Sequence, residues 1–367
     1  MVPILFLLGL TFVAAVPNGI FIPRGTGPRY QHVQDGLGRL HLVDLWQPAT
    51  DFGARYNPDR DNVYHLFTRK NPSVSQPIVP GNEPLLKAYN FNPAHRTAVL
   101  LHGWFDNATG NFNAVLLAAF LAAEDMNVIV VDWSAGGSNP NYGIAIENTV
   151  LSGAAVARFI SWVNNVTGAD VAKYHIAGFS LGGQQAGIVG RNLGGKAGYV
   201  TGLDPAGPGW DGYEHTFKPS DGIYTEVIHT NVGFSGYLEP LAQVDFYPNG
   251  GDKMPGCWFI PCNHDRCFYY FAESIRNGGF TGVKCESYEH ALVGDCHLEE
   301  TLHMGGIEPK TGYNILRSIK EVAFHICISM GYKMSANEQT DHLMVLHGRK
   351  SGVFYLETNA ASPFSRG

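Results

Sequence analysis

Val171-Ala-Lys-Tyr-His-Ile-Ala-Gly-Phe-Ser-Leu-Gly-Gly183 is the stretch whose reading decides the fold. An apolar, strand-like run ends in Gly178-Phe179-Ser180-Leu181-Gly182, and a helix-forming stretch over 184–191 follows at once. Strand, sharp turn and helix together make the G-x-S-x-G pattern a nucleophile elbow. Glycines flank the serine because side chains at so tight a turn would collide with neighbouring backbone. The turn lifts the Ser180 hydroxyl above the sheet and sets it at a helix start, where N–H groups and the helix dipole favour negative charge. With 44 glycines in 367 residues the five-residue pattern alone carries little weight, and its context carries more.

A serine nucleophile needs an acid, a base and oxyanion donors, which α/β-hydrolases supply in the chain order Ser, acid, His. Downstream, Gly198-Tyr-Val-Thr-Gly-Leu-Asp204-Pro-Ala-Gly-Pro208 is an apolar strand that delivers Asp204 into a Pro/Gly turn. Cys262-Asn263-His264-Asp265-Arg266 then places His264 in a loop beside a cysteine, ahead of a helix-like stretch over 268–275. Upstream, Thr97-Ala-Val-Leu-Leu-His-Gly-Trp104 runs a strand into His102-Gly103-Trp104. One oxyanion N–H is expected from Leu181 and the second from this upstream turn.

These motifs resemble the pancreatic lipase family of secreted lipases and phospholipases A1, from about residue 57 to 304 and again over 352–359. The resemblance rests on His102-Gly103, Val131-Asp132-Trp133, Gly178-Phe-Ser-Leu-Gly-Gly183, Gly202-Leu-Asp-Pro-Ala-Gly-Pro208, Asp245-Phe-Tyr-Pro-Asn-Gly-Gly251 and the 257–264 segment. It implies Ser180 as nucleophile, Asp204 as acid, His264 as base, and the backbone N–H groups of Trp104 and Leu181 as oxyanion donors. It also implies two disulfides, Cys257–Cys262 and Cys285–Cys296. Cys267 and Cys327 either pair or remain buried thiols. The family's calcium-binding loop falls near 213–221, where only Asp221 matches and Lys218 stands at a position that expects an acid.

Composition agrees with one large α/β domain: 45% hydrophobic and 12% aromatic residues supply a sizeable core. Near-continuous apolar runs at 97–101 and 128–132 read as buried parallel strands. Further strands are expected near Ala172 and Tyr199 and over 223–229. A long amphipathic helix is expected over 142–163, with Ile146, Val150, Ala154 and Ala157 on or near one face. The alternation predicts an α/β-hydrolase fold with a mainly parallel central sheet flanked by helices. A net charge of −7 gives no basic footprint for nucleic acid. No nucleotide, flavin or catalytic-metal motif is present, and no cofactor is expected.

Residues 1–15 form an apolar run ending in Val13-Ala14-Ala15, the pattern of a signal peptide with a small-residue cleavage site, although no Lys or Arg precedes the core. It is shorter than the ~20 residues of a membrane span. No later segment is read as a span, so a secreted, soluble product is expected. Secretion suits the six cysteines, and Asn107-Ala-Thr and Asn165-Val-Thr are candidate glycosylation sites. The division expected is a signal peptide at 1–15, an N-terminal arm at 16–57 and a hydrolase domain at 58–367. Within the last, 307–348 departs from the family pattern; Ile315, Ile319, Val322, Ile326 and Met330 recur there at helical spacing, as for a surface helix that packs its apolar stripe on the domain or, alternatively, contacts lipid or a partner. His102 reads as an organiser of the oxyanion turn or a packed core residue, Asp132 as a structural carboxylate satisfied by backbone donors rather than a second catalytic acid, and His175 and His229 as satisfied core histidines.

The function expected is a secreted serine esterase acting on lipid at an interface. The four residues between Cys257 and Cys262 stand where the family's lid lies, and so short a lid favours phospholipase A1. Triacylglycerol lipase is the alternative, or a catalytically silent lipid-binding or yolk-type protein on the same scaffold.

Overall fold

The computed structural model describes residues 30–34, 40–44, 56–311 and 350–367. The leader at 1–15, the helical pattern at 315–330 and Cys327 lie outside the described residues, as does most of the arm at 16–57.

Two short strands, β1 (Tyr30–Gln34) and β2 (Leu40–Asp44), pair antiparallel. The main sheet then collects β3 (Val63–Phe67), β4 (Gln76–Ile78), β5 (Thr97–Leu101), β6 (Asn127–Asp132), β7 (Tyr174–Phe179) and β8 (Tyr199–Leu203). It continues with β9 (Tyr224–Ile228), β10 (Val244–Pro248), β11 (Thr281–Cys285), β12 (Thr301–His303) and β13 (Gly352–Leu356). Their spatial order is β12-β11-β13-β10-β9-β8-β7-β5-β6-β3-β4. From β13 to β6 every pairing is parallel, and β3, β4, β11 and β12 add antiparallel edges. The strand expected near Ala172 starts at Tyr174, because Val171–Lys173 forms a 3₁₀ turn capped by Asp170.

Both faces of the parallel sheet are covered, which is why its strands read as unbroken apolar runs rather than as alternation. Ala98, Leu100, Val128 and Val130 face one core, with Phe112, Leu116 and Phe120 of the Asn111–Ala123 helix and Phe268 and Phe271 of the Ile260–Asn277 helix. Val99, Leu101, Ile129 and Val131 face the other, against Val156, Ile160 and Val163 of the Tyr142–Thr167 helix and Ala186 and Val189 of the Leu181–Asn192 helix. This is an α/β-hydrolase sheet, and its parallel strands deliver their C-terminal ends to one edge.

Two expectations need correction. The long helix runs on to Thr167, and its buried side is wider than one stripe: Ile146 and Ala157 are buried, while Val150 and Ala154 are only half-buried. It is also long and apolar enough to cross a bilayer, contrary to the reading that no later segment is; 67% of its most apolar window is buried within the fold. Its hydropathy comes from sitting between the sheet and a neighbouring helix.

Residues 307–310 are tied to the domain by charge. Arg96 bonds the Ile307 carbonyl and pairs with Glu124 and Glu308. Lys310 reaches Glu226, which is fully buried, and sits over the rings of Tyr199 and Tyr224 at 5.4 Å. The second Glu226 oxygen accepts the Gly305 N–H at 2.7 Å. Removing one partner of such a pair strands the other charge in the interior. Lys310→Met is therefore expected to cost about 3–5 kcal/mol of stability, and adding Glu226→Gln should recover much of it. Thermal or urea unfolding of the single and double variants measures this; equal losses in both would show that the charge is not what matters.

Candidate active site

The elbow is built from backbone contact. A Cβ on Gly178 would lie 1.8 Å from the Gly182 carbonyl oxygen, and one on Gly182 would lie 2.0 Å from that of Leu101. The helix can start directly at the strand end only because both positions lack a side chain. Ser180 itself has φ 56° and ψ −120°, a sparsely populated conformation for a side-chain-bearing residue. Hydrogen bonds hold it there: its N–H donates to Leu203 O at 3.1 Å, and its carbonyl accepts from Gly183 N at 2.9 Å and Ala206 N at 3.0 Å. Leu181 is the first residue of the helix, so its N–H has no intrahelical acceptor.

Asp204 follows β8, is fully buried and has φ 43°. One carboxylate oxygen lies 2.5 Å from His264 Nδ1. The other accepts the N–H groups of Thr230 at 2.8 Å and Asn231 at 3.1 Å. Gly236 presses on the same carboxylate, where a Cβ would come within 2.3 Å of Oδ1. These supports were missed in the sequence, because backbone donors leave no residue signature; their place just beyond β9 was the available signal.

His264 is not in a loop, as the sequence suggested. It lies in the second turn of the Ile260–Asn277 helix. Pro261 near the helix start and the Cys257–Cys262 disulfide begin that helix earlier than its apolar periodicity indicates. The His264 ring packs 4.5 Å from that of Phe179, the neighbour of Ser180, and its side chain is 12% exposed. A Cβ on Gly103 would meet Ser180 Cβ at 3.2 Å, so the His102-Gly103-Trp104 turn also abuts the serine. The structure thus brings Ser180, Asp204, His264 and this turn together at one sheet edge.

The turn is fixed from behind. His102 is fully buried; its Nδ1 donates to Gly103 O at 2.9 Å, and its Nε2 accepts the Trp133 N–H at 3.2 Å. Trp133 Nε1 returns a bond to His102 O at 2.9 Å. Asp132 accepts the N–H groups of Ser134 at 3.0 Å and Ala108 at 3.2 Å. Burial alone would raise its pKa, but the His102 ring 3.6 Å away and the Ser134 bonds outweigh that and hold it well below the carboxylate range. Trp104 Nε1 bonds Asn139 O at 2.8 Å.

The Cys257–Cys262 and Cys285–Cys296 disulfides are both formed. Cys267 is a buried free thiol whose Sγ lies 3.1 Å from His264 O. His175 stacks on Tyr199 and bonds Thr201, and burial lowers its pKa well below the usual value, as suits a neutral core residue. The Asn165 side chain is exposed and that of Asn107 half-buried. The residues near 213–221 do not fit calcium. The Asp221 carboxylate is taken by two Arg191 nitrogens at 2.9 Å each and by Lys218 N at 2.8 Å. Among the described residues no three His, Cys, Asp or Glu side chains gather as a metal-ligand set.

The sheet, its covering helices and the elbow define an α/β-hydrolase. The chain belongs to the pancreatic lipase family: the family described as Lipase matches residues 53–324. Human pancreatic lipase-related protein 2 is 34% identical over 268 residues, 65% of this chain and 56% of that one. Pancreatic triacylglycerol lipase of Myocastor coypus is 35% identical over 271 residues, 66% of this chain and 59% of that one. The chain therefore spans less than two thirds of the length of these relatives. A solved phospholipase/carboxylesterase from Dyadobacter fermentans is 15% identical, with a TM-score of 0.28 over 36% of this chain and 64% of that one.

Asp265, next to the histidine, gives the site a pH signature. Burial raises its pKa to about 7, with Asp106 and Asp204 adding to the rise and His264 opposing it. A carboxyl raised from 3.8 in the unfolded chain to about 7 in the fold binds more protons when folded. Its contribution to stability is present below the unfolded value and is lost as pH rises through about 7. Asp265→Asn is thus expected to raise the melting temperature at pH 8 while leaving it little changed at pH 4. An equal effect at both pH values would contradict this assignment.

Proposed function

We propose that this protein is a secreted serine carboxylic ester hydrolase that acts on lipid at an interface. The observation that carries the reading is the 2.5 Å contact between Asp204 and His264, formed beside the Ser180 elbow. His264 Nε2 takes the Ser180 proton as the serine oxygen attacks the ester carbonyl, and Asp204 fixes the imidazole tautomer and stabilises its cation. The N–H groups of Trp104 and Leu181 receive the oxyanion, a contribution of about 2.7–4 kcal/mol per donor in other hydrolases. His264 then protonates the leaving alcohol, and water releases the acyl group by the reverse sequence. Two disulfides support the extracellular reading. Asn165, and less openly Asn107, would then be glycan acceptors.

Within this class we favour phospholipase A1 chemistry over triacylglycerol hydrolysis. The support is the disulfide that closes the lid position after four residues, Trp258-Phe-Ile-Pro261, and runs straight into the helix carrying His264. So short a loop cannot cover the cleft with a helix, which leaves room for a polar head group and requires little opening motion. The names of the relatives, pancreatic triacylglycerol lipase among them, favour the second reading.

Ser180→Ala is expected to abolish ester hydrolysis without loss of fold, and Asp204→Asn to cost less than loss of the nucleophile. Initial rates of the purified protein on phosphatidylcholine vesicles and on emulsified long-chain triglyceride check both levels. Unchanged turnover by Ser180→Ala would remove the mechanism. Much faster cleavage of triglyceride would reverse the substrate preference and leave the mechanism standing.

A further inference from the structure

Behind Asp204 lies a buried pair that the chemistry above does not use. His229 follows β9 and Asp245 lies in β10, with side chains 0% and 2% exposed. His229 Nε2 lies 3.0 Å from Asp245 Oδ1, and His229 Nδ1 lies 3.0 Å from the Tyr237 carbonyl. The ring therefore bridges the Asp245 carboxylate in β10 and the Tyr237 carbonyl in the connection, one through each nitrogen. Asp245 also accepts the N–H groups of Leu241 at 2.9 Å and Ala242 at 3.0 Å, and the His229 ring stacks on Tyr247 at 4.2 Å.

These bonds close the 229–245 connection on itself, and what the connection encloses is the acid. Thr230 and Asn231, the two residues after His229, give both of their N–H groups to Asp204 Oδ1. Thr230 Oγ1 reaches the His264 carbonyl at 3.3 Å. Gly236 packs on the Asp204 carboxylate, and Tyr237 N bonds Pro205 O at 2.8 Å. The His229 bond to Tyr237 O thus clips the two ends of the segment that wraps Asp204. A buried polar pair contributes little net stability relative to a well-packed apolar pair, so fixing a geometry is the better account of its presence.

We infer that His229 and Asp245 are positioning residues for the Ser180–Asp204–His264 unit, holding the Thr230–Asn231 N–H pair where it orients the Asp204 carboxylate toward His264. This rests on the triad reading proposed above. The two residues touch no reacting atom and act through Asp204.

The test uses the full chain and a soluble p-nitrophenyl butyrate substrate. kcat and KM are measured for Asp245→Asn and His229→Gln, each in the wild-type and in the Asp204→Asn background, with melting temperatures to identify folded protein. The two substitutions break the pair from opposite sides, so one folded variant suffices. The expected result is a kcat reduced roughly 10- to 100-fold with KM within about twofold, because small misplacements of catalytic groups carry penalties of that order. In the Asp204→Asn background the same substitution should add almost nothing. A folded variant with wild-type kcat, or an equal loss whether or not Asp204 is present, would overturn the inference. A Ser180→Ala control that stays active would instead bring down the triad reading itself, and the inference with it.

Discussion

The structure depends on backbone touching backbone at the end of β7. Gly178 and Gly182 let the Leu181–Asn192 helix start directly on the strand, at separations no side chain tolerates. That contact forces Ser180 into a conformation it would not adopt alone, so the rest of the sheet edge must hold it. The holding is stepwise: Ser180 N bonds the end of β8, Asp204 N bonds Ile228 of β9, and His229 N bonds Phe246 of β10. Each strand end in turn is fixed by the next, and each presents a side chain or loop to the site. The parallel sheet thereby sets the spacing of the site.

Charge follows the same pattern of support from behind. The buried Asp204 carboxylate has donors on both oxygens, and its second oxygen is left to the imidazole. On the other flank, Asp132 and His102 fix the turn that ends in Trp104. Asp204, Asp132, His102 and His229 each bond a main-chain atom, which suits a preorganised site rather than one assembled on binding.

Much of this was legible in the sequence. The strands at 97–101 and 127–132 were readable because a sheet covered on both faces produces unbroken apolar runs. Ser180 and Asp204 were readable because each ends such a strand in a glycine- or proline-rich turn. His264 was legible as a residue but not as a helical one, since the periodicity begins at Phe268, whereas a disulfide and a proline start the helix earlier. The breadth of the buried side of the Tyr142–Thr167 helix was hidden because it packs against both sheet and helix, which a one-stripe pattern does not describe. Thr230 and Asn231 contribute main-chain atoms, and His229 finds its partner 16 residues away, so no local pattern marks them.

The central claim is that Ser180 is the activated oxygen of this assembly. Treatment with an organophosphonate that traps active serines, followed by peptide mapping, tests it most directly. One adduct is expected, on Ser180, formed much more slowly when Asp204→Asn is introduced. A protein that hydrolyses esters yet carries its adduct on another residue, or labels equally fast without Asp204, would contradict the account.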